Sequence, residues 1–167
     1  MTLFDEILEA WRYTRDGVIA EAENLPDAKF NVRPDGLGRS ALDLVNHITL
    51  AGRLMSGELS RPDGDFRRVP YNELMEEHAR PGDQASARAD AVAALRRSFE
   101  EGEAMLRAAG ADHMMQPIRQ FNGEYASRLA WMHHGISHEE YHRGQLALFA
   151  RLHGLVPALT QQIESGG

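Results

Sequence analysis

The chain has 167 residues, 43% apolar and 26% charged, which is enough for one domain that buries its own core without covalent staples. That composition lies away from disordered and membrane sequences, and one soluble unit is expected. A formal charge of -7 without a long basic run excludes a phosphate-backbone footprint, so nucleic acid is not an expected partner.

Phe4, Ile7, Leu8, Trp11, Val18 and Ala22 recur at steps of three and four, and this stripe predicts a first helix from about Thr2 to Asn24. Its opening, MTLFDEILEAWR, carries three acids where a signal peptide would be apolar, and no later stretch stays apolar long enough to span a membrane. A cytoplasmic protein with no membrane partner is the expectation. Pro26 ends the helix, and the polar run to Arg39, with Pro34, Gly36 and Gly38, reads as a loop.

Ser40 followed by Asp43 is the spacing of a capping box and marks the start of a second helix. The stripe there is Leu44, His47, Ile48, Ala51 and Leu54 or Met55, so His47 occupies a position that calls for an apolar residue. From Gly57 to Gly82 no period is sustained, although Tyr71 to Ala79 can form a short helix after Pro70. Asp83 is the expected N-cap of a third helix, with a stripe of Val92, Leu95, Phe99, Gly102, Met105 and Ala109 that stops at Gly110. A connection of about 25 residues can run the length of a bundle, so the second and third helices can lie parallel; chain order alone leaves this open.

Asn122-Gly123 predicts a tight turn, with Ile118 and Tyr125 flanking a small hairpin. A fourth helix follows from about Ser127 to His153, ended by Gly154 with Pro157 beyond. Without an internal repeat or a sustained strand period, the fold class is an all-α bundle.

The chain has eight histidines and no cysteine, so any metal must rest on histidine and oxygen. Four of the histidines fall between His133 and His142. The expected inward seam of the fourth helix is Trp131, Gly135, His138, His142, Gln145, Phe149 and Leu152, with Glu139, Glu140, Arg143 and Arg151 mostly on the solvated side. Residues four apart stand one above the other, roughly 5–6 Å between Cβ atoms, so His138 and His142 can converge on one ion. His47 is the third candidate. Three neutral imidazoles suit zinc or a related metal and leave a position for water or substrate.

Each of these residues also has a plainer reading. A lone histidine on an apolar stripe is in most cases a hydrogen-bonded core residue; it is the two sites together, on different helices, that point to metal. His134, one turn before His138, is either an auxiliary base or packing. Gln145 is a candidate polar contact, and Asp43 either caps its helix or orients a ligating ring. His78, His113, His133 and His153 read as surface residues, Trp11 and Trp131 as core. The run His138-Glu139-Glu140-Tyr141-His142 also matches the H-E-x-x-H pattern of zinc peptidases, in which the Glu is the general base. Gln145 and Leu148 stand where the metzincin extension needs Gly and His, and no sheet is expected to form a substrate cleft.

The segment from His134 to Leu146, HGISHEEYHRGQL, resembles the DinB-like superfamily, whose last helix carries a His-x-x-x-His-Arg-Gly-Gln signature. Here that signature is His138, His142, Arg143, Gly144 and Gln145, with His47 in the Asn-His-Ile of the second helix. The resemblance extends to the Leu25-Pro26 and Arg33-Pro34 punctuation, and departs at Tyr141, where many members carry a second His. It implies a four-helix bundle of up-down-down-up topology with a long crossover between helices 2 and 3, a single domain over residues 1–167, one nickel or zinc ion on the three histidines, and a homodimer. It also implies an enzyme that transfers a low-molecular-weight thiol such as mycothiol or bacillithiol to a small-molecule electrophile. A hydrolase using metal-activated water is the second expectation, and a non-catalytic, metal-braced stress or sensor protein the third.

Overall fold

A computed structural model describes residues 2–34 and 38–166; the expected loop glycine Gly36 lies outside them. The first helix, α1 (Leu3–Asn24), opens on a capping box in which the Thr2 hydroxyl accepts from the Asp5 N–H and the Asp5 carboxylate accepts from the Thr2 N–H. A short α2 (Asp27–Phe30) follows inside the expected loop and buries Phe30. The Ser40–Asp43 capping box starts α3 (Ala41–Ser60) as predicted. The connection then holds α4 (Tyr71–His78), and α5 (Arg88–Ala109) ends at Gly110, whose φ of 87° suits glycine. After α6 (Ala111–Met114), β1 (Pro117–Arg119) and β2 (Tyr125–Ser127) pair antiparallel, Ile118 opposite Ala126, around the turn that holds Gly123 at φ 90°. Ser127 caps α7 (Arg128–Leu152), and α8 (Ala158–Glu164) is an element the sequence pattern missed. Its first amides donate to buried Glu21 of α1.

Side-chain contacts fix the helix directions. Arg107 reaches Asp5 and Arg96 reaches Glu23, so α1 and α5 are antiparallel. Trp11 meets Glu139 while Asn24 meets Val156, so α1 and α7 are parallel. Likewise Asn46 meets Ala85 and Arg53 meets Glu101, which makes α3 and α5 parallel, whereas Arg128 donates to the Glu58 carbonyl and His47 meets His142, which makes α3 and α7 antiparallel. The bundle therefore runs up-down-down-up, and the long crossover is what a parallel α3/α5 pair demands.

Two apolar clusters fill the bundle. One joins Val18, Ile48, Leu95 and Phe149; the other joins Leu8, Trp11, Leu59, Phe99 and Met132. Between them lies a polar waist of Thr14, Arg15, Thr49, Arg53, Ser98, Glu139, His142 and Arg143, all buried. Such groups are tolerated inside only when paired, and Arg15 shows how. Its guanidinium donates to both Glu139 oxygens at 2.6 and 2.9 Å, to the Leu95 carbonyl and to Ser98, while Trp11 Nε1 donates to Glu139 at 2.9 Å.

Several sequence expectations are corrected by these pairs. Glu139 and Arg143 are buried rather than solvated: Glu139 faces the interior because its partner Arg15 comes from α1, while Arg143 pairs with Glu140 on its own helix and is covered by Tyr13 and Gly17 of α1. Leu152 and Met105 are exposed, Leu106 taking the latter's place in the core. Asp83 does not cap α5; it is buried, accepting from Arg53 and from the Arg80 N–H. His78 is not a surface residue either, because its ring lies on buried Glu58, and His113 and His153 are only partly exposed. Trp131 is half-buried and lines a cleft.

Candidate metal centre

His47 faces the waist from the second turn of α3, and His138 and His142 come from the middle of α7. The antiparallel crossing brings them together. His138 Nε2 stands 3.2 Å from His47 Nε2 and 3.1 Å from His142 Nε2, and the ligand atoms of the three all lie within 4.8 Å of one another. The rings meet edge to face, with interplanar angles of 70–87°. Among the described residues these three form a group that could hold a metal ion, with no carboxylate among them.

The donor set passes a test of fit. At an ordinary Zn–N length of ~2.0–2.1 Å, two nitrogens stand roughly 3.3 Å apart at a tetrahedral angle and roughly 2.9 Å apart at a right angle. The observed 3.1 and 3.2 Å fall between. Gln145 Oε1 accepts a hydrogen bond from His142 Nδ1 at 2.7 Å. The proton is thereby fixed on Nδ1 and the Nε2 lone pair is turned to the shared point, the usual way a ligating ring is oriented. Burial first, then the neighbouring His138, His142 and Arg39, pushes the His47 pKa down to about 4. His138 is also lowered, by burial and by His142 and Arg39 against the opposing pull of Glu139. Both rings are thus held neutral, the form that ligates.

The residues around the triad separate by role. Asp43 spends its carboxylate on the Ser40 N–H and on Arg33, so it caps α3. Glu139 follows His138 in the chain but turns to Arg15 and Trp11, which occupy both its oxygens. The H-E-x-x-H general base is therefore not available as one, and the pattern match is a coincidence of spacing. Gly52 makes room for this pair, since a Cβ there would stand 2.7 Å from Arg15 Nη2.

The triad has a cleft on either side. One, of about 270 Å³, is lined by His47, His138, His134 and the aromatic rings of Phe66, Tyr71, Phe121 and Trp131. The other, of about 420 Å³, is lined by Arg39, Tyr141, His142 and Gln145 among others. His134 is exposed at the first, its ring 5.3 Å from that of Trp131; His133 is exposed, as expected. Arg15 and the aromatic wall escaped the sequence reading. Arg15 sits 124 residues from its partner, and Phe66, Tyr71 and Phe121 come from the crossover and the hairpin, where no helical period marks them.

Fold and site together define an up-down-down-up helical bundle with a three-histidine cluster at its waist. The model of the DinB superfamily matches residues 10–146, and the chain belongs to that superfamily. Among solved structures it is similar to a DinB-like protein of Bacillus subtilis, YjoA, with a TM-score of 0.67 at 19% identity, covering 89% of this chain and 92% of that one. It is also similar to YfiT of Bacillus subtilis, described as a probable metal-dependent hydrolase with an unusual four-helix bundle topology, with a TM-score of 0.64 at 14% identity, covering 93% of this chain and 91% of that one. No curated protein matches the chain. No helix among the described residues is long and apolar enough to cross a membrane.

Proposed function

We propose that His47, His138 and His142 hold one divalent ion, zinc or nickel, through their Nε2 atoms, and that the chain is a metal-dependent enzyme acting on a small molecule in the cytoplasm. The observation that carries this reading is the convergence of three imidazoles, without a carboxylate, between two open clefts. When bound, the ion would acidify a water or a thiol beside it and so supply the nucleophile for hydrolysis or S-transfer. Gln145 holds the His142 ring in its ligating tautomer and is a positioning residue. With Glu139 committed to Arg15 and Trp11, His134 is the imidazole of the aromatic cleft outside the triad and the candidate to take up or deliver a proton.

We rank an external thiol first as nucleophile, since a free thiol already ionises near pH ~8.5 and would be deprotonated outright on a metal, whereas a bound water would be brought only to about 7. The chain has no cysteine, so the thiol would arrive as a low-molecular-weight cosubstrate. Hydrolysis is the second reading, favoured by the likeness to YfiT. The deciding experiment presents the zinc- or nickel-loaded protein with several low-molecular-weight thiols and an electrophile, and in parallel with activated esters and amides. Metal-dependent thiol consumption, lost in His138→Ala, supports transfer; ester or amide cleavage alone supports hydrolysis. Loaded protein that turns over neither, with a fourth protein ligand on the ion, is a metal-braced structural protein. The homodimer belongs to the same proposal and is tested by light scattering.

A further inference from the structure

Four aromatic rings from three separate parts of the chain meet in the smaller cleft. Phe66 belongs to the crossover, Tyr71 starts α4, Phe121 sits in the hairpin turn and Trp131 lies on α7. Their centroids form a continuous chain: Tyr71 to Phe121 at 5.8 Å, Phe121 to Trp131 at 5.7 Å, Trp131 to His134 at 5.3 Å, with Phe66 at 5.0 Å from Phe121 and 4.7 Å from Trp131. His134 precedes His138 by one helical turn, so the wall of rings ends at the triad.

Phe66 is buried, but Tyr71 and Phe121 remain 54% and 40% exposed at the mouth. Large aromatic surfaces kept open around a concave site are characteristic of ligand pockets rather than of a folding core. Of the charged side chains, the lining contains neither Lys nor Arg, and its one carboxylate, Glu139, is neutralised by Arg15. An uncharged group is what such walls accept.

Size narrows the class further. An apolar cavity of ~150 Å³ accommodates benzene, and this cleft measures about 270 Å³. We infer that the cleft binds a small molecule bearing one uncharged aromatic ring, seated among Phe66, Tyr71, Phe121 and Trp131, with its polar reacting group one or two atoms away and directed at the histidines. Offset and edge-to-face contacts with the four rings select a flat π-system over an alkyl chain of equal length. The direction of the polar group rests on the proposed metal function; the ring site does not.

Benzohydroxamate and acetohydroxamate share one chelating head and differ only in the ring, so they test the inference directly. Calorimetric titrations of both probes into zinc-loaded and into chelator-stripped protein keep the two questions apart. Benzohydroxamate is expected to bind loaded protein tighter than acetohydroxamate by on the order of tenfold or more, the scale of burying one ring. Phe121→Ala and Tyr71→Ala, both at exposed positions, should each reduce that ratio several-fold and leave acetohydroxamate unchanged, with thermal melting confirming that the variants fold. In stripped protein the preference for the ring should persist at weaker affinity. Affinities within about twofold of each other in loaded and stripped protein alike, or a ratio that neither variant changes, would overturn the ring site. A kept ring preference with the absolute affinity of both probes unchanged on removing zinc would instead uphold the ring site and count against the metal reading.

Discussion

Two histidine-bearing clusters lie inside this bundle, and they differ in what balances them. His78 is closed in: its Nε2 stands 2.6 Å from Glu58, a carboxylate with no exposed surface that also accepts from Arg68 and from the Asp65 N–H. Burial alone would raise the Glu58 pKa, but the His78 and Arg68 hydrogen bonds hold it down to about 2. Every charge there has a partner, and the cluster ties the crossover to the end of α3. Gly57 permits the approach, because a Cβ there would stand 2.2 Å from the His78 ring. The triad of His47, His138 and His142 has three rings, no carboxylate and two clefts. Here Glu58 is taken up by His78, Arg68 and the Asp65 N–H, whereas the three triad rings have no acid partner among them.

The largest effect on stability is expected where the waist is closed. Glu139→Ala leaves the Arg15 guanidinium buried and unpaired and should cost ~3–5 kcal/mol in a urea titration, while the folded protein keeps its ion. A smaller cost would mean that Arg15 reaches water. In the His78 cluster the depressed Glu58 pKa is itself a stability term: above about pH 4.5 it is fully present, and it is lost as pH falls from there towards about 2. Glu58→Gln should therefore cost ~3 kcal/mol at neutral pH and flatten that acid limb, with no change in metal content.

The open cluster should respond to metal instead. Zinc or nickel at 100 times its Kd should stabilise the wild-type protein by ~2.7 kcal/mol, seen as a rise in Tm, and should leave the Tm of His142→Ala where it is. The smallest effect is a pH limb in the metal-free protein, because the half-buried His47 ring is partly screened by solvent where Glu58 is not. Unfolded, His47 takes up a proton near pH 6.5, and folded only near pH 4. Between those values the unfolded chain binds more protons, so stability should fall as pH drops across the window and stay level above it. His47→Ala should remove that slope; an unchanged slope would assign it to other groups.

The contrast also explains what the sequence could and could not reveal. Local signals were legible: the Ser40–Asp43 capping box, the stop at Gly110, the Asn122-Gly123 hairpin and the end of α7 at Gly154 depend on neighbours within a few residues. The triad was legible too, because three histidines interrupt apolar stripes at helical spacing. Partners that arrive from far along the chain were not. Glu139 and Arg143 read as solvated until Arg15 and the α1 surface are placed beside α7, and His78 read as surface until Glu58 is seen beneath it. Gly17 reflects the same dependence, since a Cβ there would strike the Arg143 guanidinium at 2.2 Å. Helix direction was a question of topology, answered by ion pairs such as Arg107–Asp5 that join helices far apart in the chain.

The most direct test is elemental analysis of untagged protein beside four variants. The account predicts about one divalent ion per chain in wild type, loss of that ion in His47→Ala, His138→Ala and His142→Ala, and its retention in His78→Ala, whose histidine sits in the acid-balanced cluster. Metal content unchanged in His138→Ala and His142→Ala would contradict it.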